Sequence, residues 1–264
     1  PVNIRYATDS TNMSAWTSHN AARYALVMAQ GPVIIFEFEG NEFLSNHNPL
    51  ITEVRTAITY LYFIAGEFSK RKAKIWAKEI AEIVAQFGHG NKRLALDHCA
   101  TEGVHQLEEQ GLELTNGEEV MELAWLIKSE EEIVAMRCSI FACEKSIELM
   151  RSHCEPGITE QKLWSHFQME AVSRGAEWIE TRLLAAGPRA NPWYHECSSR
   201  PIQNGELIGF DTDLVGSYGY CTDISRTWMC GDKSASSAQK EIYTMAYEQV
   251  QQNLEILRPG LTFK

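Results

Sequence analysis

Three aspartates on two neighbouring extended stretches constrain this chain more than anything else in it. They lie in Gly209-Phe210-Asp211-Thr212-Asp213-Leu214 and in Cys221-Thr222-Asp223-Ile224-Ser225-Arg226-Thr227. The residues between, Val215-Gly216-Ser217-Tyr218-Gly219-Tyr220, have the composition of a hairpin turn. Side chains alternate along a strand, so Asp211 and Asp213 share one face and Thr212 takes the other. The returning strand can carry Asp223 to that same face. Leu207, Ile208, Phe210, Leu214, Ile224 and Trp228 make the flanks core-like rather than a solvated loop. Three carboxylates converging in apolar surroundings repel one another, and a cation between them removes the penalty. Asp211, Asp213 and Asp223 are therefore candidate metal ligands. Oxygen-only ligands favour magnesium or manganese; iron or zinc enters once a histidine joins.

A length of 264 residues accommodates two domains of ordinary size. The net charge of −11 argues against a nucleic-acid surface and against an anionic membrane. No apolar run approaches the ~20 residues of a membrane span. The opening, Pro1-Val2-Asn3-Ile4-Arg5-Tyr6, has neither an initiator methionine nor a signal-peptide pattern, which suggests a start inside a longer gene product. Seven cysteines, an odd number without a Cys-x-x-Cys pair, fit reduced thiols in a cytoplasmic protein.

The first ~115 residues read as alternating strands and helices, an α/β layer. Strands are expected over 3–7, 24–28, 33–38, 58–64 and 93–97, with the second and third forming a hairpin. Between the last two, 71–87 has amphipathic spacing through Ile75, Trp76, Ile80, Ile83, Val84 and Phe87. A long helical stretch follows over 118–150, broken near Ser129, where Ser-Glu-Glu-Glu resembles a capping box. Its apolar stripe is expected to be Ile133, Met136, Ile140, Phe141, Ile147 and Leu149. Helices are expected again over 160–174 and 238–257, flanking strand-rich residues 178–230 that contain the aspartate hairpin.

Several segments resemble one family. Leu126-Ile127-Lys128-Ser129-Glu130-Glu131-Glu132-Ile133, followed by Pro156-Gly157-Ile158-Thr159-Glu160, resembles the opening of the pita-bread domain of aminopeptidase P, prolidase and creatinase. Asn191-Pro192-Trp193-Tyr194-His195 is similar to its substrate-facing histidine segment, and Gly219 to Thr227 to its second metal aspartate with the Arg-Thr that follows. Asn3 to Tyr6 and the 75–97 helix–strand resemble the creatinase-type N-terminal domain. The resemblance implies an α/β (α+β) fold: a creatinase-like domain over 1–117, then the first part of a pita-bread catalytic domain over 118–264. It implies a homodimer acting on a small molecule, with divalent metal ions, iron first and zinc or manganese next, two per site in the complete enzyme. His195 becomes the catalytic candidate, and Arg226 the residue that orients a ligand carboxylate from behind it, without itself touching the metal. The family's remaining ligands, one histidine and two glutamates, lie downstream of the Pro-Gly that here is Pro259-Gly260. They and the catalytic base are expected beyond Lys264.

In the peptidases of this family a single first-strand aspartate stands eleven residues before the second-strand one. Here that position is Thr212, with aspartates on both sides. The Asp-Thr-Asp arrangement resembles the dimethylsulfoniopropionate lyase branch of the fold, which implies β-elimination to dimethyl sulfide and acrylate. The alternatives are a metallopeptidase acting at Xaa-Pro bonds and a catalytically silent binding module. Trp193, Tyr194, Tyr218, Tyr220 and Trp228 cluster near the aspartates in sequence, and one or two of them are candidates to face a substrate cation.

Overall fold

A computed structural model describes residues 1–262. The chain forms two compact units: Pro1–Cys138 with Gly216–Tyr220, and Ser139–Val215 with the chain from Cys221 on.

The first unit opens with helices α1 (Val2–Thr8) and α2 (Ser14–Thr17), then strands β1 (Tyr24–Val27), β2 (Val33–Glu37) and β3 (Glu53–Thr56). β1 pairs antiparallel with β2, as the Gly31-Pro32 turn suggests, and β3 pairs parallel with β2. A short helix α3 (Tyr62–Ala65) and the longer α4 (Ser69–Phe87) follow. Then β4 (Arg93–Leu96), α5 (Thr101–Glu109) and β5 (Glu113–Asn116) form a parallel pair with a crossover helix. α4 buries Ala73, Trp76, Ala77, Ile80, Ile83 and Val84, its expected stripe, while Ile75 remains exposed. Those side chains meet Ile34 and Phe36 of β2 in one core. Gly103 of α5 abuts that core closely. A Cβ there would stand 2.2 Å from the Tyr60 hydroxyl and 2.7 Å from Cys99 Sγ. Gly103→Ala is therefore expected to cost about 1–3 kcal/mol by overpacking. A denaturation midpoint equal to or above that of the parent would contradict it.

Two expected strands are absent. Residues 3–7 lie in helix α1, where Thr8 Oγ1 donates to the Ile4 carbonyl and Tyr6 packs edge-on against Trp125 at 6.0 Å. The β-propensity of Ile4 and Tyr6 is overridden by these contacts. Residues 58–64 are irregular and then helical; the strand lies earlier, in the more polar Glu53–Thr56, because an edge strand needs no fully apolar run.

Helices α6 (Gly117–Trp125) and α7 (Glu130–Ser152) replace the single long stretch. The break is the expected capping box: Ser129 N–H donates to Glu132 Oε2 at 2.6 Å and Glu132 N–H donates to Ser129 Oγ at 3.2 Å. The expected stripe of α7 is partly wrong. Ile133, Ile140 and Phe141 are exposed, whereas Ser139, Ala142, Cys143, Ser146, Ile147 and Met150 are buried. Small residues let a helix approach its neighbours closely, so volume rather than hydrophobicity chose the buried face.

In the second unit, α8 (Glu160–Ser173) begins at Thr159, whose hydroxyl accepts the Lys162 N–H. Strands β6 (Trp178–Ile179), β7 (Leu183–Ala186), β8 (Leu207–Val215) and β9 (Cys221–Met229) form one sheet. β9 pairs with one edge of β8, while β6 and β7 share the other, all antiparallel. Leu163, Trp164 and Phe167 of α8 and Met150 of α7 pack against Ile208, Phe210, Leu214 and Trp228 of the sheet. Helix α9 (Ser237–Ile256) carries a complete capping box at Ser236 and buries none of its residues. No helix among the described residues is long and apolar enough to cross a membrane.

Candidate metal centre

The hairpin is an unbroken antiparallel ladder of nine residue pairs, from Leu207 opposite Met229 to Val215 opposite Cys221. Ile208, Phe210, Thr212 and Leu214 are buried on one face, and Asp211 and Asp213 project from the other. Asp223 stands directly opposite Asp213, hence on the same face, and Ser225 stands opposite Asp211. The ladder connects through a tight tip where Tyr218 and Gly219 both take left-handed backbone conformations, with φ of 65° and 79°.

Each carboxylate has a defined surrounding. Thr181 Oγ1 donates to Asp213 Oδ2 at 2.7 Å, and Ser225 Oγ donates to Asp211 Oδ1 at 3.1 Å. Asp223 interacts with both other aspartates. Desolvation first, then the charges of Asp211 and Asp213 and a hydrogen bond with Asp211, raise its carboxyl above the usual carboxylate range. Such a group is short of positive charge. Among the described residues, no three histidine, cysteine, aspartate or glutamate side chains are gathered closely enough to hold a metal ion by themselves. The donor set is nevertheless chemically coherent: three hard oxygen donors on one sheet face, two of them directly opposed. It fits part of a divalent-cation site.

Arg226 lies elsewhere. It is opposite Phe210, on the sheet face turned away from the aspartates, where Nη2 is 3.7 Å from Glu144 of α7 and Nη1 donates to the Ser225 carbonyl. The same alternation that gathers Asp211, Asp213 and Asp223 excludes it: Asp223 and Arg226 are three apart, so they point oppositely. The expectation that Arg226 orients a ligand carboxylate is corrected accordingly.

His195 sits in loop 187–197, half-buried, and its Nδ1 is buried with no hydrogen-bond partner among the described residues. Its neighbour Trp193 packs on the aspartate strand itself. A Cβ at Gly209 would be 2.6 Å from Trp193 Cζ3, so only glycine lets that indole lie against β8, two residues before Asp211. Tyr194 is exposed beside it, with ring centroids 6.5 Å apart. The other aromatics are occupied. Trp228 belongs to the core. In the first unit, Tyr218 lies under the Arg5 guanidinium at 5.6 Å, and Tyr220 Oη donates to Glu132 at 3.0 Å. Burial, then the Glu132 partner, push the Tyr220 phenol up to about 12. Thr181 was missed by sequence reasoning; only the pairing of distant segments brings it to Asp213.

The family model of metallopeptidase family M24 matches residues 134–264. The chain is 45% identical over 269 residues to the dimethylsulfoniopropionate lyase DddP of Roseovarius nubinhibens, an alignment covering 99% of the chain and 60% of that protein. It is 44% identical over 268 residues to the DddP of Roseobacter denitrificans, with the same coverage. The chain thus spans 60% of the length of these curated relatives. In fold it is similar to the crystal structure of the prolidase from Pyrococcus horikoshii OT3, with a TM-score of 0.77 at 20% identity, covering 99% of the chain and 67% of the prolidase.

Proposed function

This chain belongs to metallopeptidase family M24, with the α/β pita-bread fold of prolidase and aminopeptidase P, and from that premise we propose that the complete protein is a lyase. Its reaction is β-elimination of dimethylsulfoniopropionate to dimethyl sulfide and acrylate. The observation that carries this reading is the unbroken ladder. Without a bulge, residues on one face of two antiparallel strands differ by an even number along the hairpin. A peptidase-type spacing of eleven would aim position 212 into the core, where Thr212 is fully buried. Spacings of ten and twelve, from Asp213 and Asp211 to Asp223, put all three carboxylates on the open face. The two DddP relatives at 45% and 44% identity support the same reading.

On this reading Asp211, Asp213 and Asp223 hold divalent metal, iron first, completed by ligands from the rest of the protein. When bound, the metal supplies positive charge that draws electrons from the substrate carboxylate and makes the α-proton more acidic. The chain's own residues orient and exclude. Thr181 and Ser225 fix the rotamers of Asp213 and Asp211 through their hydroxyls. The Trp193 indole forms an aromatic wall beside the aspartates, suited to a sulfonium. A base removes the α-proton, the C–H electrons become the C=C bond, and the C–S pair leaves with dimethyl sulfide. His195, with its unpartnered Nδ1, is a candidate to contact substrate. The protein is further proposed to be a cytoplasmic homodimer, with a creatinase-like domain ending near residue 117.

Family membership also favours one second reading, hydrolysis of Xaa-Pro bonds. The complete, metal-reconstituted protein is expected to release dimethyl sulfide from dimethylsulfoniopropionate and to leave an Xaa-Pro dipeptide intact. Dipeptide cleavage without dimethyl sulfide would reverse the assignment, and metal-loaded protein silent on both would remove it.

A further inference from the structure

One buried carboxylate fastens both ends of the loop that lies against the aspartate strand. Glu160, the first residue of α8, is fully buried. Its Oε1 accepts the backbone N–H of Ala186, the last residue of β7, at 3.0 Å. Its Oε2 accepts the backbone N–H of Ser198 at 2.9 Å and the Ser198 hydroxyl at 2.6 Å, and pairs with the Arg189 guanidinium. Ala186 and Ser198 bracket loop 187–197, which carries Trp193 and His195. Arg189 ties the loop to itself: Nη1 donates to Ser198 Oγ at 2.8 Å and Nη2 to the Glu196 carbonyl at 2.9 Å.

A carboxylate removed from water is costly, and an ion pair in a core is commonly no more stabilising than an apolar isostere. What this arrangement supplies is geometry. Ordering an irregular loop costs backbone entropy, so a loop held before substrate arrives spares binding that cost. Glu160 itself stands at the helix end and presents nothing to the aspartate face. Its reach is through the loop to Trp193, whose ring covers Gly209.

We propose that Glu160 is a positioning residue for substrate: by clamping Ala186 and Ser198 it sets Trp193 against Gly209 and so fixes the aromatic wall beside Asp211 and Asp213. The inference rests on the reading of the aspartate face as the reaction site. Its test is a double-mutant cycle in the complete, metal-loaded protein. Glu160→Gln is expected to raise KM for dimethylsulfoniopropionate about tenfold, with kcat within about twofold and metal content unchanged. Trp193→Phe raises KM as well, and the double variant is no worse than the worse single one. Additive effects, or a loss confined to kcat and folded fraction, overturn the clamp. If Glu160→Gln does not fold, Ser198→Ala, which removes the hydroxyl's bonds to Glu160, Arg189 and the Arg200 N–H while leaving the backbone N–H bond to Glu160, enters the same cycle. A second readout needs no turnover: the Trp193 contribution to emission, taken as the difference from Trp193→Phe, becomes more open to acrylamide quenching when the clamp is cut. Unchanged quenching overturns the proposal. Parent protein inactive on the sulfonium substrate would refute the functional reading instead, with quenching still deciding the clamp.

Discussion

Replacing Asp213 by alanine in the complete protein should strip the metal site and lower turnover by about a thousandfold, the scale of several kcal/mol of charge stabilisation. Asp213 stands directly opposite Asp223 on an unbroken ladder, with Thr181 holding its second oxygen. Metal analysis after dialysis and a dimethyl sulfide assay read the two losses together. A variant that retains both metal and turnover would end the metal assignment. The sign reverses for stability. In the metal-free protein, Asp213→Asn keeps an acceptor for Thr181 while relieving a like-charge pair across the strands. It is expected to stabilise by about 0.2–1 kcal/mol. Added divalent metal should stabilise the parent and not the variant. A metal-free Asp213→Asn protein melting below the parent would show that the carboxylates do not repel in the fold.

Truncating Phe210 to alanine should cost about 3–5 kcal/mol, the largest single stability loss expected in the second unit. Its ring is almost fully buried, with centroids 5.2 Å from Phe167, 5.5 Å from Trp164 and 6.2 Å from Trp228. Three of its neighbours are themselves rigid aromatics that close a cavity poorly. The consequence extends to the site, because Phe210 anchors the buried side of the strand whose next residue is Asp211. Chemical denaturation with an unchanged slope and a lowered midpoint is the expected result. A loss below about 1 kcal/mol would mean that the pocket collapses without penalty.

How far the residues themselves led is clearest in the hairpin. Asp211, Thr212 and Asp213 declare their faces by alternation alone, and Asp223 follows from the turn. Applied to Arg226, the same alternation places it on the opposite face, so that position too is legible within one strand. Helix α4 and the Ser129 capping box were legible for the same reason, since their defining contacts run over three or four residues. The apolar spacing of α7 misled because Ile140 and Phe141 match a helical stripe, yet close packing selected Ala142, Cys143 and Ser146.

What the sequence by itself determined is therefore local: the hairpin, its faces, the helix caps, and the gathering of three acidic side chains on one of those faces. Strand 53–56, helix α1, the Thr181 hydroxyl on Asp213, the indole on Gly209 and the Glu160 clamp were decided by tertiary structure alone. Short-range periodicity is written into one segment. A contact between residues 26 or 32 positions apart depends on which sheet edges meet and on how much volume lies between them, and no single segment encodes that.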